Sequence, residues 1–321
     1  MNEQERPLVE VKNLKKYFKV PAGMNHAVDD VSLTIHRGET VGVVGESGCG
    51  KSTLGRAIIR LHEATDGQVL FDGKDITHIK GKELKEAREK MQIVFQDPYS
   101  SLNPRYRVEK TVLEPLKNSG RFRNVDDMRM EADRLMELVG IDERLRQSYP
   151  HELDGGRRQR VCIARALALN PQFVVCDEPV SALDVSIQAQ VLNLLKDLQN
   201  EMGMAYMFVT HDLSVVRHIS DTICVMYLGQ LVEKCTTKEL FSKQLHPYTK
   251  ALLSAIPSTD LDHPMQRIQL KGEITSPINP KPGCRFASRC PYASDVCHEP
   301  QKLEEVEKGH FVQCCRVNEI N

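Results

Sequence analysis

Gly45-Glu46-Ser47-Gly48-Cys49-Gly50-Lys51-Ser52, followed by Thr53, is the stretch that decides the fold. It spells G-x-x-x-x-G-K-[ST], the spacing of a loop that closes around phosphate. The apolar run Thr40-Val41-Gly42-Val43-Val44 before it reads as a buried strand. Residues 53–60 after it carry helical spacing, so strand, glycine turn and helix stand in the order the motif requires. Glycines let backbone N–H groups point inward together, and a helix start favours an anion. Lys51 is expected to reach the outer phosphates, and Ser52 to hold Mg²⁺.

The 321 residues suffice for one large α/β domain and a smaller module. A net charge of −1 argues against nucleic acid as a partner. No apolar run approaches the roughly 18 residues that span a bilayer. Met-Asn-Glu-Gln-Glu-Arg-Pro does not read as a signal peptide. Any membrane connection is therefore expected through partner subunits.

Residues 8–14 and 31–35 alternate like half-exposed strands, with a loop at Pro21-Ala22-Gly23, which predicts an antiparallel β-layer ahead of the nucleotide core. A charged helix is expected over 83–92, a loop over 97–105, and a helical insertion over about 97–160. The runs 173–178, 205–210 and 222–226 read as buried strands, with a helix over 186–202. Strands alternating with helices predict a largely parallel sheet. Near Pro257 the composition turns to Pro, Ser and polar residues. The expected division is an ATPase domain at 1–255 and a small Cys-rich module at 256–321.

A phosphate loop needs carboxylates from a neighbouring strand. Asp177 ends an apolar strand, which suits an acceptor for Mg²⁺ or its waters, and Glu178 next to it can take a proton from attacking water. His211 ends another strand and is expected to bond the γ-phosphate.

Gln96 after Ile93-Val94-Phe95, the turn Gly155-Gly156, the run Ser181-Ala182-Leu183-Asp184 and His211, in this order behind the phosphate loop, resemble the ATPase subunit of an ABC transporter. The resemblance implies a P-loop NTPase core and two such domains sandwiching two ATP molecules. It implies Gln96, with Ser52 and Asp177, at Mg²⁺; Asp184 as the loop residue after the second strand carboxylate; and Phe18 against adenine, with Tyr17 as runner-up. A narrower likeness lies in residues 95–104, in His246-Pro247-Tyr248-Thr249 and in Ser276-Pro277-Ile278-Asn279-Pro280, which resemble oligopeptide and dipeptide (and nickel) importer ATPases. That likeness implies two permease subunits, a second ATPase subunit, an extracytoplasmic binding protein and a place on the cytoplasmic face of the membrane. Peptide import is the leading expectation. Nickel import and a weakly hydrolytic regulatory subunit are the alternatives.

One motif departs from the family. Its signature loop runs Leu-Ser-Gly-Gly-Gln, whereas this chain has Leu153-Asp154-Gly155-Gly156-Arg157. In the family the serine donates to the γ-phosphate held by the opposing subunit. A carboxylate cannot donate and has the wrong sign, with a repulsion of about 4 kcal/mol for unit charges roughly 4 Å apart at an effective dielectric of about 20. Aspartate nonetheless caps a helix as well as serine. The expectation is a normal helix, a weakened composite ATP site and a heterodimeric arrangement.

Of ten cysteines, five crowd into residues 284–315. Cys284, Cys290, Cys297 and Cys314 give C-x5-C-x6-C-x16-C, with Cys315 adjacent, which points to a local metal site rather than disulfides. Zn²⁺ usually wants tighter pairs; an iron–sulfur cluster accepts four thiolates at irregular spacing. The importer resemblance favours [4Fe–4S] on these four. Cys49 reads as a filler whose side chain points away from phosphate.

Overall fold

The computed structural model describes residues 6–256, 267–270, 272 and 276–321. The chain divides into two compact units. A helical unit is built mainly on His78–Met207, and a phosphate-loop unit on Val9–Ile35, Glu39–Thr77 and Phe208–Asn321. The tail from residue 276 onward thus belongs with the phosphate loop. The division expected at 255/256 adjoins Pro257, which lies outside the described residues.

In the phosphate-loop unit the expected β-layer is present and antiparallel. It runs Gly23–Ile35, Val9–Val20, Asp66–Phe71 and Lys74–Asp75 in spatial order. Its first two strands extend well past the stretches 8–14 and 31–35. The strand Thr40–Val44 is wholly buried and pairs in parallel with Thr222–Tyr227. Gly42 admits the neighbouring helix Leu213–Ile219: a Cβ there would lie 2.5 Å from Val216 Cγ1.

Beyond Thr222–Tyr227 the sheet is not parallel. Gln230–Thr236, His310–Val312 and Glu304–Glu307 follow as antiparallel neighbours. The expectation of a largely parallel sheet is corrected here to a mixed one. The reason is local: Leu228-Gly229 has positive φ at both residues, which makes a tight hairpin where a helical crossover would otherwise stand. Val44, Val225, Tyr227, Tyr248, Leu253 and Phe286 belong to one buried cluster, so tail and phosphate-loop strand share a core.

In the helical unit Met91–Val94 pairs in parallel with Phe173–Asp177. The helices Val108–Ser119, Val125–Leu138 and Gly155–Leu167 pack on one another. Val108, Val112 and Leu116 are buried at four-residue spacing, as one face of a helix must be. The expected 97–105 loop contains a short helix, Pro98–Ser101, because Asp97 accepts the Tyr99 N–H at 2.8 Å and proline opens the turn. Among the described residues no helix is long and apolar enough to cross a membrane.

Candidate nucleotide site

The phosphate loop joins the strand Thr40–Val44 to the helix Lys51–Ile58. Its glycines are demanded by space as well as by torsion. Gly45 has φ +155 and a Cβ there would sit 2.1 Å from the Met226 carbonyl oxygen; Gly50 has φ +108 and would meet the Ala27 oxygen at 1.9 Å. Gly48 also has positive φ, but the space beside it is open, and with Ser47 it is exposed. The loop is thus packed at its base and free at its rim, where an anion has to enter.

Lys51 is buried and folds back on the loop, donating to the Gly45 carbonyl at 2.8 Å and the Glu46 carbonyl at 3.0 Å. These bonds keep a buried ammonium paired. Phosphate oxygens would take over the same donors. Ser52 and Thr53 are half-buried on the first helical turn. Cys49 is buried under the loop with Sγ 3.9 Å from Lys51 Nζ, and burial pushes its thiol up.

Glu46 is held more firmly than the motif foretells. Its backbone N–H donates to Tyr248 Oη at 2.8 Å. Its carboxylate takes both Arg289 Nη atoms, at 2.8 and 3.2 Å. Neither partner was legible in the sequence, since they lie 202 and 243 residues away.

Phe18 stands edge-on to His62 at 5.5 Å with Lys16 Nζ 4.8 Å from its ring. Tyr17 instead stacks on His26 at 3.9 Å and bonds Asp29, so it is already engaged in the layer. His211 is exposed at the end of the strand Ala205–Thr210, and Asp212 caps the helix that follows.

In the helical unit Asp177 is buried at the end of its strand, and Glu178 follows at φ +49. A left-handed non-glycine residue is uncommon, and such strain concentrates at functional positions. Gln96 Nε2 donates to Glu178 Oε2 at 2.7 Å, so the expected Mg²⁺ residue and the expected base meet. Asp184 caps the helix Val185–Met202, accepting from Ile187 N at 3.1 Å and Ser186 Oγ at 2.9 Å. The Ile187 N–H, then the Ser186 hydroxyl, hold the Asp184 carboxyl below its ordinary range.

Asp154 caps the helix Gly155–Leu167, as aspartate was expected to do. Its Oδ1 accepts the Arg157 N–H at 2.7 Å and its Oδ2 faces Arg157 Nη1 at 3.3 Å. The two departures from the family motif therefore pair with each other. Gly156 is needed for packing: a Cβ there would come 2.6 Å from Ile187 Cγ2.

Cys284, Cys290, Cys297 and Cys314 line one small cavity with Cys315, His246, Phe286 and Arg316. Burial pushes Cys284 up to about 12, and the other three thiols are close enough to push the same way. Cys314 is half-buried, whereas Cys315 is exposed with Sγ 3.9 Å from the Val296 carbonyl. Among the described residues no group of three or more His, Cys, Asp or Glu is drawn together as ligands of an ion. A single Zn²⁺ requires sulfurs about 2.3 Å from one point.

Comparison with known proteins gives two family matches: ABC transporter over residues 28–181, and oligopeptide/dipeptide transporter, C-terminal region, over residues 232–297. A putative oligopeptide transport ATP-binding protein of Bacillus subtilis, YkfD, is 50% identical over 314 residues, covering 96% of this chain and 95% of that one. The oligopeptide transport ATP-binding protein OppF of Salmonella typhimurium is 48% identical over 329 residues, covering 99% and 98%. Among solved structures, the ATP-binding cassette MJ0796, a dimer bound to ADP and Pi, matches with a TM-score of 0.66 and 33% identity over 71% of this chain and 98% of that one.

Proposed function

The chain belongs to the ABC transporter ATPase family, with the oligopeptide/dipeptide type of C-terminal region, and from that premise we propose that it hydrolyses ATP to drive peptide import through a membrane transporter. The observation that carries this reading is that the phosphate loop and the oligopeptide-type region fold into one unit and are joined by the Glu46–Arg289 pair. The relatives' names speak of oligopeptide and peptide transport, which favours peptide over nickel.

In this reading the loop N–H groups and Lys51 hold the β- and γ-phosphates, and Phe18 lies against adenine. Ser52, Gln96 and Asp177 hold Mg²⁺, which neutralises charge on the phosphates when bound. Glu178 orients a water and accepts its proton as the water oxygen bonds to the γ-phosphorus. The bond to the β-phosphate oxygen breaks, and ADP and phosphate leave. Gln96 keeps the Glu178 carboxylate oriented through the bond at 2.7 Å. His211 donates to the γ-phosphate. Asp154, Gly155, Gly156 and Arg157 meet the ATP of a second ATPase subunit, and Asp184 belongs to the same contact. With aspartate for serine, that composite site is the weaker one, and a heterodimer leaves the other site strong. Two permease subunits and an extracytoplasmic binding protein complete the importer, and this chain sits at the cytoplasmic face.

In this reading Cys284, Cys290, Cys297 and Cys314 are the thiolate ligands of a [4Fe–4S] cluster. Anaerobically purified chain should then carry about four irons, with broad visible absorption; zinc, or no metal, on all four thiols would overturn this assignment. The function itself is tested by peptide uptake into vesicles holding the assembled transporter. Lys51→Ala in this chain should abolish ATP-dependent uptake, and uptake at the wild-type rate would refute the reading.

A further inference from the structure

We propose that the segment Cys284–Cys290 is a strap that positions the phosphate loop, with Arg289 as its positioning residue. It follows that nucleotide affinity depends on how this cysteine-flanked segment is held. The proposal rests on the ATP reading above and adds a control point to it.

The strap reads Cys284-Arg285-Phe286-Ala287-Ser288-Arg289-Cys290, with two arginines four residues apart between two thiols. Arg289 is only 8% exposed and grips the Glu46 carboxylate with two parallel bonds. Such a fork fixes direction as well as distance. Tyr227 Oη lies 3.4 Å from the same guanidinium, which holds it from a second side. A guanidinium this buried is stable only while paired, so the contact is a strong constraint on whichever residue bears the carboxylate. That residue belongs to the loop. The Glu46 carbonyl accepts from Lys51 Nζ and from the Cys49 N–H at 3.3 Å, so its three polar groups are all fixed.

The other end of the strap reaches the loop by another route. Arg285 donates to Asp29 and to the Leu228 carbonyl. The next residue, Gly229, donates its N–H to the Cys49 carbonyl at 2.8 Å. Between the arginines, Phe286 wedges against Tyr227 and Tyr248 at 5.3 and 5.4 Å, and Tyr248 carries the hydroxyl that takes the Glu46 N–H. Three contacts of one short segment therefore converge on the loop. Its two ends are the thiols Cys284 and Cys290, which face the shared cavity. Anything that fixes or frees those thiols moves Arg289, and by linkage nucleotide in the loop must steady the strap in return.

The test measures binding of a fluorescent ATP analogue with Mg²⁺ by the full chain, together with hydrogen exchange of the backbone amides of residues 284–290. Arg289→Ala and Glu46→Gln should each weaken binding about tenfold, as loss of a charged hydrogen bond does. The double variant should be no weaker than the worse single one, and Arg289→Lys should recover part of the loss. Nucleotide should slow exchange of these amides in the wild type but not in Arg289→Ala. If Arg289→Ala does not fold, Glu46→Gln must show both effects alone. Wild-type affinity in the variants, additive losses, or exchange indifferent to nucleotide would overturn the strap. A wild-type chain that binds no nucleotide would instead overturn the ATP reading.

Discussion

Acid should loosen the support of the phosphate loop through one histidine. His246 is buried and its Nδ1 accepts the Tyr248 N–H at 3.1 Å, which requires a neutral ring. Burial pulls its pKa down to about 4, and the neighbouring Glu233 carboxylate only partly opposes this. In the unfolded chain the imidazole titrates near ~6.5. Between those values the unfolded chain binds a proton that the native state refuses. The stabilisation is complete above about pH 6.5 and is lost as the pH falls toward about 4, a drop of about 3 kcal/mol. Asparagine caps a helix through its side-chain oxygen and does not titrate in this range. Urea unfolding of the wild type and of His246→Asn between pH 7 and pH 4 therefore separates the effect. Glu233 is also held low, by His310 and the Leu245 and His246 N–H groups against its own burial. Its share is lost only below the ordinary carboxylate range and is common to both proteins. The wild type should lose about 3 kcal/mol more than the variant over this window. Equal pH dependence in the two proteins would mean that His246 does not carry the acid response.

Asp154→Ser should raise turnover of the assembled transporter only modestly, because Arg157 already faces the carboxylate at 3.3 Å and both side chains are more than half exposed. After solvent screening the net penalty is about 1 kcal/mol or less, several-fold in rate at most; Arg157→Gln, which strips the compensation, should lower turnover in the same ATPase assay. Gly50→Ala drives a Cβ to 1.9 Å from the Ala27 oxygen and should abolish nucleotide binding and lower the melting temperature. Gly48→Ala meets nothing within 4 Å, so it should cost only the left-handed strain of about 1 kcal/mol, visible as a small shift in the melt.

The strands and the helix around the phosphate loop were legible because their signals are short-range. Residues 40–60 carry strand, turn and helix in one uninterrupted pattern, and Asp177 and His211 each close an apolar run. Asp154 capped its helix for the reason aspartate caps any helix. The antiparallel edge was not legible: Gln230–Thr236 mixes charged and apolar residues, and Glu233 looks like a solvent-facing charge although it is 0% exposed. Its partners, His310 and the Leu245 and His246 N–H groups, lie 77, 12 and 13 residues away. The Glu46–Arg289 pair was hidden for the same reason. The cysteine spacing did announce a common locus, and His246 and Pro247, from outside the tail, line the same cavity.

The most direct measurement is ATP hydrolysis by the reconstituted transporter carrying Glu178→Gln in this chain alone, set against the matching change in its partner ATPase. The Glu178 change should remove nearly all turnover while the partner's change removes little. Loss of turnover only from the partner's change would contradict this, because this chain's phosphate loop and Glu178 would then not form the working site.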